Sequence, residues 1–352
     1  MPLSKKRKIK KTLVLSAAVG LISVLGVNLS GCTNRNGSAI LKDPITANDF
    51  KLDTYVSVNI YDDVAPSIAK DTLAQCDKYE DIFSMQKEGS VLWKVNHDQI
   101  TTIPADLGKA IEAALEISNK TDGNFQISIG RVSNLWYFSS GKKIIPPESA
   151  LKEALATVDD SKISVRPLDP GDPNGDWTIN KPKQTMIDLG AVAKGYIADR
   201  LKEYLASRSV RHALINLGGN VLCMGGKGND PFKIGIQKPF ASSGTTSAIL
   251  SLKDKSSVSS GISERYFKGD DGKLYHHILN PKTGYPYDNN LYQVTIISDS
   301  SLDGDCLSTT CYVLGLEKGM KFIESLKDVE AVFITSDQEL HYSSGAKQYA
   351  IH

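Results

Sequence analysis

A basic excess is missing from the body of this 352-residue chain. Lys and Arg number 41 against 40 Asp and Glu, but six basic residues (Lys5, Lys6, Arg7, Lys8, Lys10 and Lys11) crowd into the first 31 positions, which carry no acid. Without those six, 35 basic side chains face 40 acidic ones, a net of −5. A nucleic-acid partner asks for a basic face, so that class is set aside. Zinc has no sequence signature either: there are five cysteines, but no Cys-x-x-Cys pair and no Cys/His cluster. The apolar run over residues 12–27 falls short of the roughly 20 residues of a membrane-spanning helix. Internal repeats are absent. The composition, 41% hydrophobic, is that of an ordinary globular protein and excludes collagen, mucin-like stalks and wholesale disorder. The length suffices for one large domain or two smaller ones.

The N-terminus reads as an address. A positive n-region precedes the apolar run, and Leu29-Ser30-Gly31-Cys32 follows. That order resembles the lipobox of bacterial lipoproteins, in which a diacylglycerol joins the Cys32 sulfur and cleavage falls just before it. An ordinary signal peptide with an incidental cysteine, or an uncleaved anchor, are the alternatives. The lipoprotein reading makes residues 1–31 a signal peptide and residues 32–48 a tether of Asn, Gly, Ser and Pro without periodicity. It places residues 49–352 outside the cytoplasmic membrane, lipid-anchored to that bacterial membrane's outer face, where two acyl chains hold firmly. An oxidising compartment allows disulfides among Cys76, Cys223, Cys306 and Cys311, and three pairings are open. The plainer reading makes them small buried hydrophobes.

Periodicity gives a mixed pattern. Val56, Val58 and Ile60 alternate with Ser57, Asn59 and Tyr61 as a half-buried strand does. Ile68, Ala69, Leu73, Cys76, Tyr79 and Phe83 share one helical arc. Further helices are expected from Leu107 to Ser118 after Pro104, and from Ala193 to Leu205. Short strand-like runs follow at 213–216, 221–224, 232–237, 248–252 and 292–297. Helical stretches near 305–314 and 318–326 precede a last strand at 331–335. Strands that arrive in runs favour α+β over a doubly wound sheet. Residues 167–177 are turn-rich and read as an excursion within one domain.

Four clusters carry chemistry. Asp188-Leu189-Gly190-Ala191-Val192-Ala193-Lys194-Gly195-Tyr196 stands just before a helix, where small residues and free N–H groups suit an anion and Lys194 adds charge. It fits a phosphate site and a plain strand-to-helix turn equally well, and its spacing is not that of a Walker loop. Leu217-Gly218-Gly219-Asn220 is satisfied by a turn with positive φ. His276 and His277 precede the Asn280-Pro281-Lys282-Thr283-Gly284 turn and would face opposite ways on a strand, so at most one serves a site. Asp305 and Thr309 lie four apart. On a helix they share a face, and a carboxylate with a hydroxyl suits Mg²⁺. An acid answering the helix dipole beside a back-bonded threonine is the bland alternative.

Taken together these clusters resemble the ApbE family, the FAD:protein FMN transferases. Asp53-Thr54-Tyr55, Asp122-Gly123-x-Phe125, Ile187 to Tyr196, Asn216 to Asn220, His277 to Gly284 and Asp305-x-Leu307-Ser308-Thr309 occur in the family's order over roughly residues 50–340. The resemblance implies an α+β single domain, T-fold-related, with mixed, largely antiparallel sheets and packed helices. It implies binding of FAD and Mg²⁺, cleavage of the FAD pyrophosphate, attachment of FMN by a phosphoester to Thr or Ser of an exported acceptor protein, and release of AMP. Metal ligands would be the Ala191 carbonyl, Asp305 and Thr309. FAD contacts would come from Leu52, Asn124, Phe125, Gln126, Asp188, Lys194 and Leu279. His277 would be the base, with Asp305 a second candidate. Departures from the family's usual residues are Leu52 for Met, Gln126 for Asp and Asn280 for Asp. An FAD pyrophosphatase using water, and a non-catalytic FAD-binding lipoprotein, are the competing expectations.

Overall fold

Alternation at Val56, Val58 and Ile60 produces the expected strand, Thr54–Asp62. In the computed structural model, which describes residues 40–351, its partner is Ile40–Lys51, a 12-residue antiparallel strand. Residues 40–48 therefore belong to the sheet and not to a tether. The strand escaped notice because it is an edge: Ala47 alone is buried, and Pro44 falls in the register irregularity between Ile40 and Ile45, where its missing N–H breaks no regular pairing. The leader, Cys32 and residues 33–39 lie outside the described residues.

Six more strands complete an eight-stranded antiparallel sheet. In spatial order after Thr54–Asp62 they are Ala213–Leu217, Asn220–Met224, Ser256–Gly261, Leu291–Ser298, Glu330–Thr335 and Leu340–Tyr342. One face is covered by helices, chiefly Ser67–Phe83, Ala105–Asn119, Ala193–Ser207 and Ser301–Glu324. The other carries a three-stranded sheet of Phe232–Gln237, Thr246–Leu252 and Ala350–Ile351. Covering both faces explains why Asn220–Met224 is buried throughout: Leu222 and Met224 join the helix-side core, Val221 and Cys223 the other. The α+β class holds.

Two further findings refine the reading. Ser301–Glu324 is one helical span broken at Gly315 (φ 78°, ψ 174°), so both expected stretches exist and meet at a glycine that tolerates positive φ. The turn-rich residues 167–177 form the loop between the paired strands Ser164–Pro167 and Asp176–Asn180. All four cysteines are free and buried, as the plainer reading had them, and burial pushes the Cys76 thiol up to about 12. No helix among the described residues is long and apolar enough to cross a membrane.

Candidate active site

The site forms where two helix starts meet. Ala193–Ser207 packs across the first turns of Ser301–Glu324, and Gly195 makes the approach possible: a Cβ there would lie 2.7 Å from the Asp305 Cβ and would also strike the Ser301 carbonyl. Asp305 is 3% exposed, and its Oδ2 accepts the Gly195 N–H at 2.8 Å. The buried carboxylate thus caps the neighbouring helix, whose own flank supplies no side-chain cap. Its Oδ1 has no hydrogen-bond partner among the described residues, and neither has the Ala191 carbonyl just ahead of that helix. Both are acceptors left over at one corner.

Thr309 lies one helical turn after Asp305, and the hydrogen bonds around it leave its lone pairs unused. The Ser308 hydroxyl donates to the Asp305 carbonyl at 3.0 Å. Ser260 lies 2.7 Å from Ser308 and 2.9 Å from the Thr309 hydroxyl. With the Ser308 proton committed, Ser260 donates to Ser308 and Thr309 donates to Ser260. The Thr309 oxygen keeps its lone pairs free. One carboxylate oxygen, one hydroxyl and one carbonyl form a hard oxygen set that fits Mg²⁺, which keeps its other positions for water and phosphate. Among the described residues no group of three His, Cys, Asp or Glu could hold a metal, which is a different kind of site.

The two histidines separate cleanly. His276 is buried, with Nε2–H donated to the Tyr287 carbonyl (2.9 Å) and Nδ1 accepting from the Ile278 amide (3.3 Å). Both nitrogens are used, and burial lowers its pKa to about 4. His277 is half-buried and sets Nδ1–H against the Arg265 carbonyl (3.3 Å), leaving Nε2 without a partner among the described residues. Burial first, then the charges of Arg265 and Lys194, hold its pKa well below the usual histidine range. It is a neutral ring with a free lone pair.

Glu264, which the sequence had not singled out, reaches the same place. Its Oε1 would meet a Cβ on Gly219 at 3.6 Å, and its carboxyl is pushed up by desolvation, with Lys194 and Arg265 opposing and Asp305 reinforcing. Glu264 is exposed, and desolvation is the first cause of its upward shift. The charge of Lys194 opposes the upward shift at Glu264 and helps to lower His277, so it is felt at both groups.

The remaining expected residues fall into place unevenly. Asp188 donates its N–H to the Ile127 carbonyl (2.7 Å), and its Oδ1 accepts the Gly190 N–H (2.8 Å). Lys194 Nζ is 3.2 Å from the Gly190 carbonyl. Lys282 Nζ donates to Asn124 Oδ1 (3.2 Å) and the Tyr287 hydroxyl to the Asn124 carbonyl (3.0 Å), which joins the 277–287 segment to residues 124–127. Leu52 and Asp53, both at positive φ, form the two-residue turn between the first two strands, and Thr54 fills the space above Gly218. Phe125 and Leu279 pack into cores, at 6% and 7% exposure, so their side chains are not available to a ligand. Gln126 Oε1 accepts the Asp160 N–H (2.8 Å).

Comparison with known proteins follows this geometry. The ApbE family model matches residues 52–333. The chain belongs to the ApbE family. A curated relative from Klebsiella pneumoniae, named FAD:protein FMN transferase, is 36% identical over 277 residues, covering 76% of this chain and 82% of that one. One of the same name from Treponema pallidum is 31% identical over 290 residues, covering 76% and 79%. Among solved structures, the ApbE protein of Thermotoga maritima superposes with a TM-score of 0.77 at 28% identity, covering 87% of this chain and 99% of that one. The flavin transferase ApbE from Vibrio cholerae gives 0.74 at 22% identity, covering 86% and 98%, a likeness of fold. As an ApbE-family chain it matches over the stretch that holds Asp188, His277, Asp305 and Thr309.

Proposed function

We propose that this chain is an FAD:protein FMN transferase that uses Mg²⁺ and moves FMN from FAD to a Thr or Ser hydroxyl of an exported acceptor protein, releasing AMP. The observation that carries the reading is the corner itself: Asp305, Thr309 and the Ala191 carbonyl, each with an unfilled oxygen beside the two helix starts. Family membership and the names of its relatives support the reaction class. Bound there, Mg²⁺ would neutralise pyrophosphate charge and ease the departure of AMP.

The chain's own residues supply the rest. The acceptor hydroxyl is a weak nucleophile until its proton is taken, and His277, whose Nε2 has no partner among the described residues, would take it. The acceptor oxygen bonds to the FMN phosphorus, the P–O bond to the AMP phosphate breaks, and AMP leaves with the bond's electron pair. Lys194 offers positive charge as the leaving phosphate gains its own. Asp188, Asn124 and backbone near Phe125 and Leu279 would hold the flavin dinucleotide. Export and the Cys32 lipid anchor belong to the same proposal, since an exported acceptor requires an exported enzyme.

The test incubates the protein with FAD, Mg²⁺ and candidate exported proteins and looks for flavin fluorescence that survives denaturing electrophoresis. Covalent label on Thr or Ser with AMP in equal amount is expected. Free FMN and AMP without label would make water the nucleophile, and intact FAD would leave a binding protein.

A further inference from the structure

Asp199 has no place in the chemistry above, yet three donors converge on it from the opposite helix. It lies one turn after Gly195 on Ala193–Ser207, on the same side of that helix. Its Oδ1 accepts the Ser301 N–H at 3.0 Å; its Oδ2 accepts the Leu302 N–H at 3.0 Å and the Ser300 hydroxyl at 3.2 Å. The helix that begins at Ser301 already has an ordinary N-cap, because Ser300 accepts the Asp303 N–H at 3.1 Å. Asp199 adds a carboxylate from a second helix. Asp305 does the reverse, sending its carboxylate to the Gly195 N–H of the first helix. Each helix start is therefore held by an acid belonging to the other.

The two braces are not equivalent. Asp305 has an oxygen to spare for a cation; Asp199 has both oxygens occupied within the protein. Ser301 and Asp305 are four apart, so the residue that Asp199 grips sits directly behind the carboxylate that would bind metal. Ser301 is also pinned from the sheet, its hydroxyl donating to Asn220 Oδ1 at 2.7 Å and accepting from Ser256 at 2.9 Å. A helix start fixed from two sides cannot turn about its axis, and a small turn would swing Asp305 and Thr309 away from the Ala191 carbonyl together.

We propose that Asp199 is a positioning residue for the cation: by holding Ser301 and Leu302 it sets the angle at which Asp305 and Thr309 face Ala191. The inference rests on the metal corner of the proposed function. Outer partners of metal ligands typically change metal affinity by about 10–100-fold when removed.

The experiment is a Mn²⁺ titration of the whole protein with FAD present, followed by electron paramagnetic resonance. It compares wild type, Asp199→Ala, Asp199→Asn and a control, Asp62→Ala. Asp62 is a buried acid that accepts the Arg211 and His212 amides, both at 2.7 Å, at the end of its strand away from Thr54. Asp199→Ala is expected to weaken Mn²⁺ binding at least about 10-fold, with metal-free FAD affinity unchanged. Asp199→Asn, which keeps one acceptor oxygen, should fall between. Asp62→Ala should lower the melting temperature and leave Mn²⁺ affinity unchanged. Mn²⁺ affinity in Asp199→Ala within twofold of wild type overturns the inference, whatever its melting temperature. If that variant does not fold, unchanged affinity in Asp199→Asn overturns it equally. Failure of the wild type to bind Mn²⁺ would sink the metal corner and this inference with it, whereas binding that ignores Asp199 sinks the inference alone.

Discussion

The Asp305 corner and the segment from Asn124 to Gln126 differ in how many of their polar bonds are local, the corner having none that returns to its own loop and Asn124 having one to Thr121. At the corner the bonds join residues remote in sequence: Asp305 to Gly195, Thr309 to Ser260, Asp199 to Ser301. Asp305 and Ser301 are buried, Thr309 and Asp199 are half-buried, and each is bound to a different element. Around Asn124 local and remote bonds mix: the side-chain amide returns to the Thr121 carbonyl at 2.8 Å, while Lys282 and Tyr287 reach Asn124 from far along the chain and Gln126 Oε1 accepts the Asp160 N–H. The three departures from the family's usual residues all lie outside the corner. Asn280 shows why such a change is tolerated: its Oδ1 accepts the Lys282 N–H at 2.8 Å, a turn that an aspartate makes equally well. Residues that answer to several elements are constrained; residues that answer to their own loop are freer.

That contrast can be broken at its strong end first. Asp305→Ala should lower Mg²⁺-dependent FMN transfer by about a thousand-fold or more, several kcal/mol of charge stabilisation being lost. Circular dichroism should show the fold retained, since removing a cap costs about 0.5–2 kcal/mol. Activity near wild type would mean that the corner holds no functional ion. The histidines give the next step. His277→Ala should slow transfer by about 10²–10⁴-fold with FAD binding intact by flavin fluorescence quenching. His276→Ala should instead cost about 1–3 kcal/mol of stability in a denaturant titration, because it leaves the Tyr287 carbonyl and Ile278 amide unpaired.

A pH profile sharpens the comparison further. His277 must be neutral to accept a proton, and its pKa is lowered, so the active form persists as pH falls to below the usual histidine value of about 6.5. The acid limb of kcat/KM should therefore lie below that value. Arg265→Ala removes a charge that lowers the pKa while keeping the backbone carbonyl that Nδ1–H meets, so the limb should move to higher pH. A limb that does not move would take His277 out of the proton transfer. The smallest effect belongs to Leu52→Met. It restores the family's common residue at a half-buried turn position and should cost less than about 1.5 kcal/mol, with the KM for FAD changed only slightly; a large loss would show that Leu52 is fixed as tightly as the corner.

Much of this was legible in the sequence, for reasons that particular residues make plain. Helices with a continuous apolar arc, such as Ser67–Phe83 and Ala193–Ser207, announced themselves, as did the Asp305/Thr309 spacing. The strand Ser256–Gly261 did not, although it lies inside the main sheet. Its sequence, Ser-Ser-Val-Ser-Ser-Gly, has one large apolar residue and no alternation. The structure supplies the missing reason: Ser256, Ser259 and Ser260 are paired through their hydroxyls with Ser301, Thr295, and Ser308 and Thr309. Partners that lie tens of residues away leave no local trace. Asp199 and Glu264 were missed for the same cause, since an acid on a helix and an acid in a loop look like solvated surface until the fold brings Ser301 or Lys194 beside them. Gln126 was legible as a position, while the bond from the Asp160 N–H to its Oε1 joins residues 34 apart and leaves no local trace.

The central claim is that one cation sits between Asp305, Thr309 and the Ala191 carbonyl. The most direct measurement is anomalous X-ray scattering from crystals of the protein soaked with Mn²⁺ and FAD. A single peak at coordination distance from those three oxygens and from the pyrophosphate is the predicted result. A peak elsewhere, or none under conditions where Mn²⁺ supports transfer, would contradict the account.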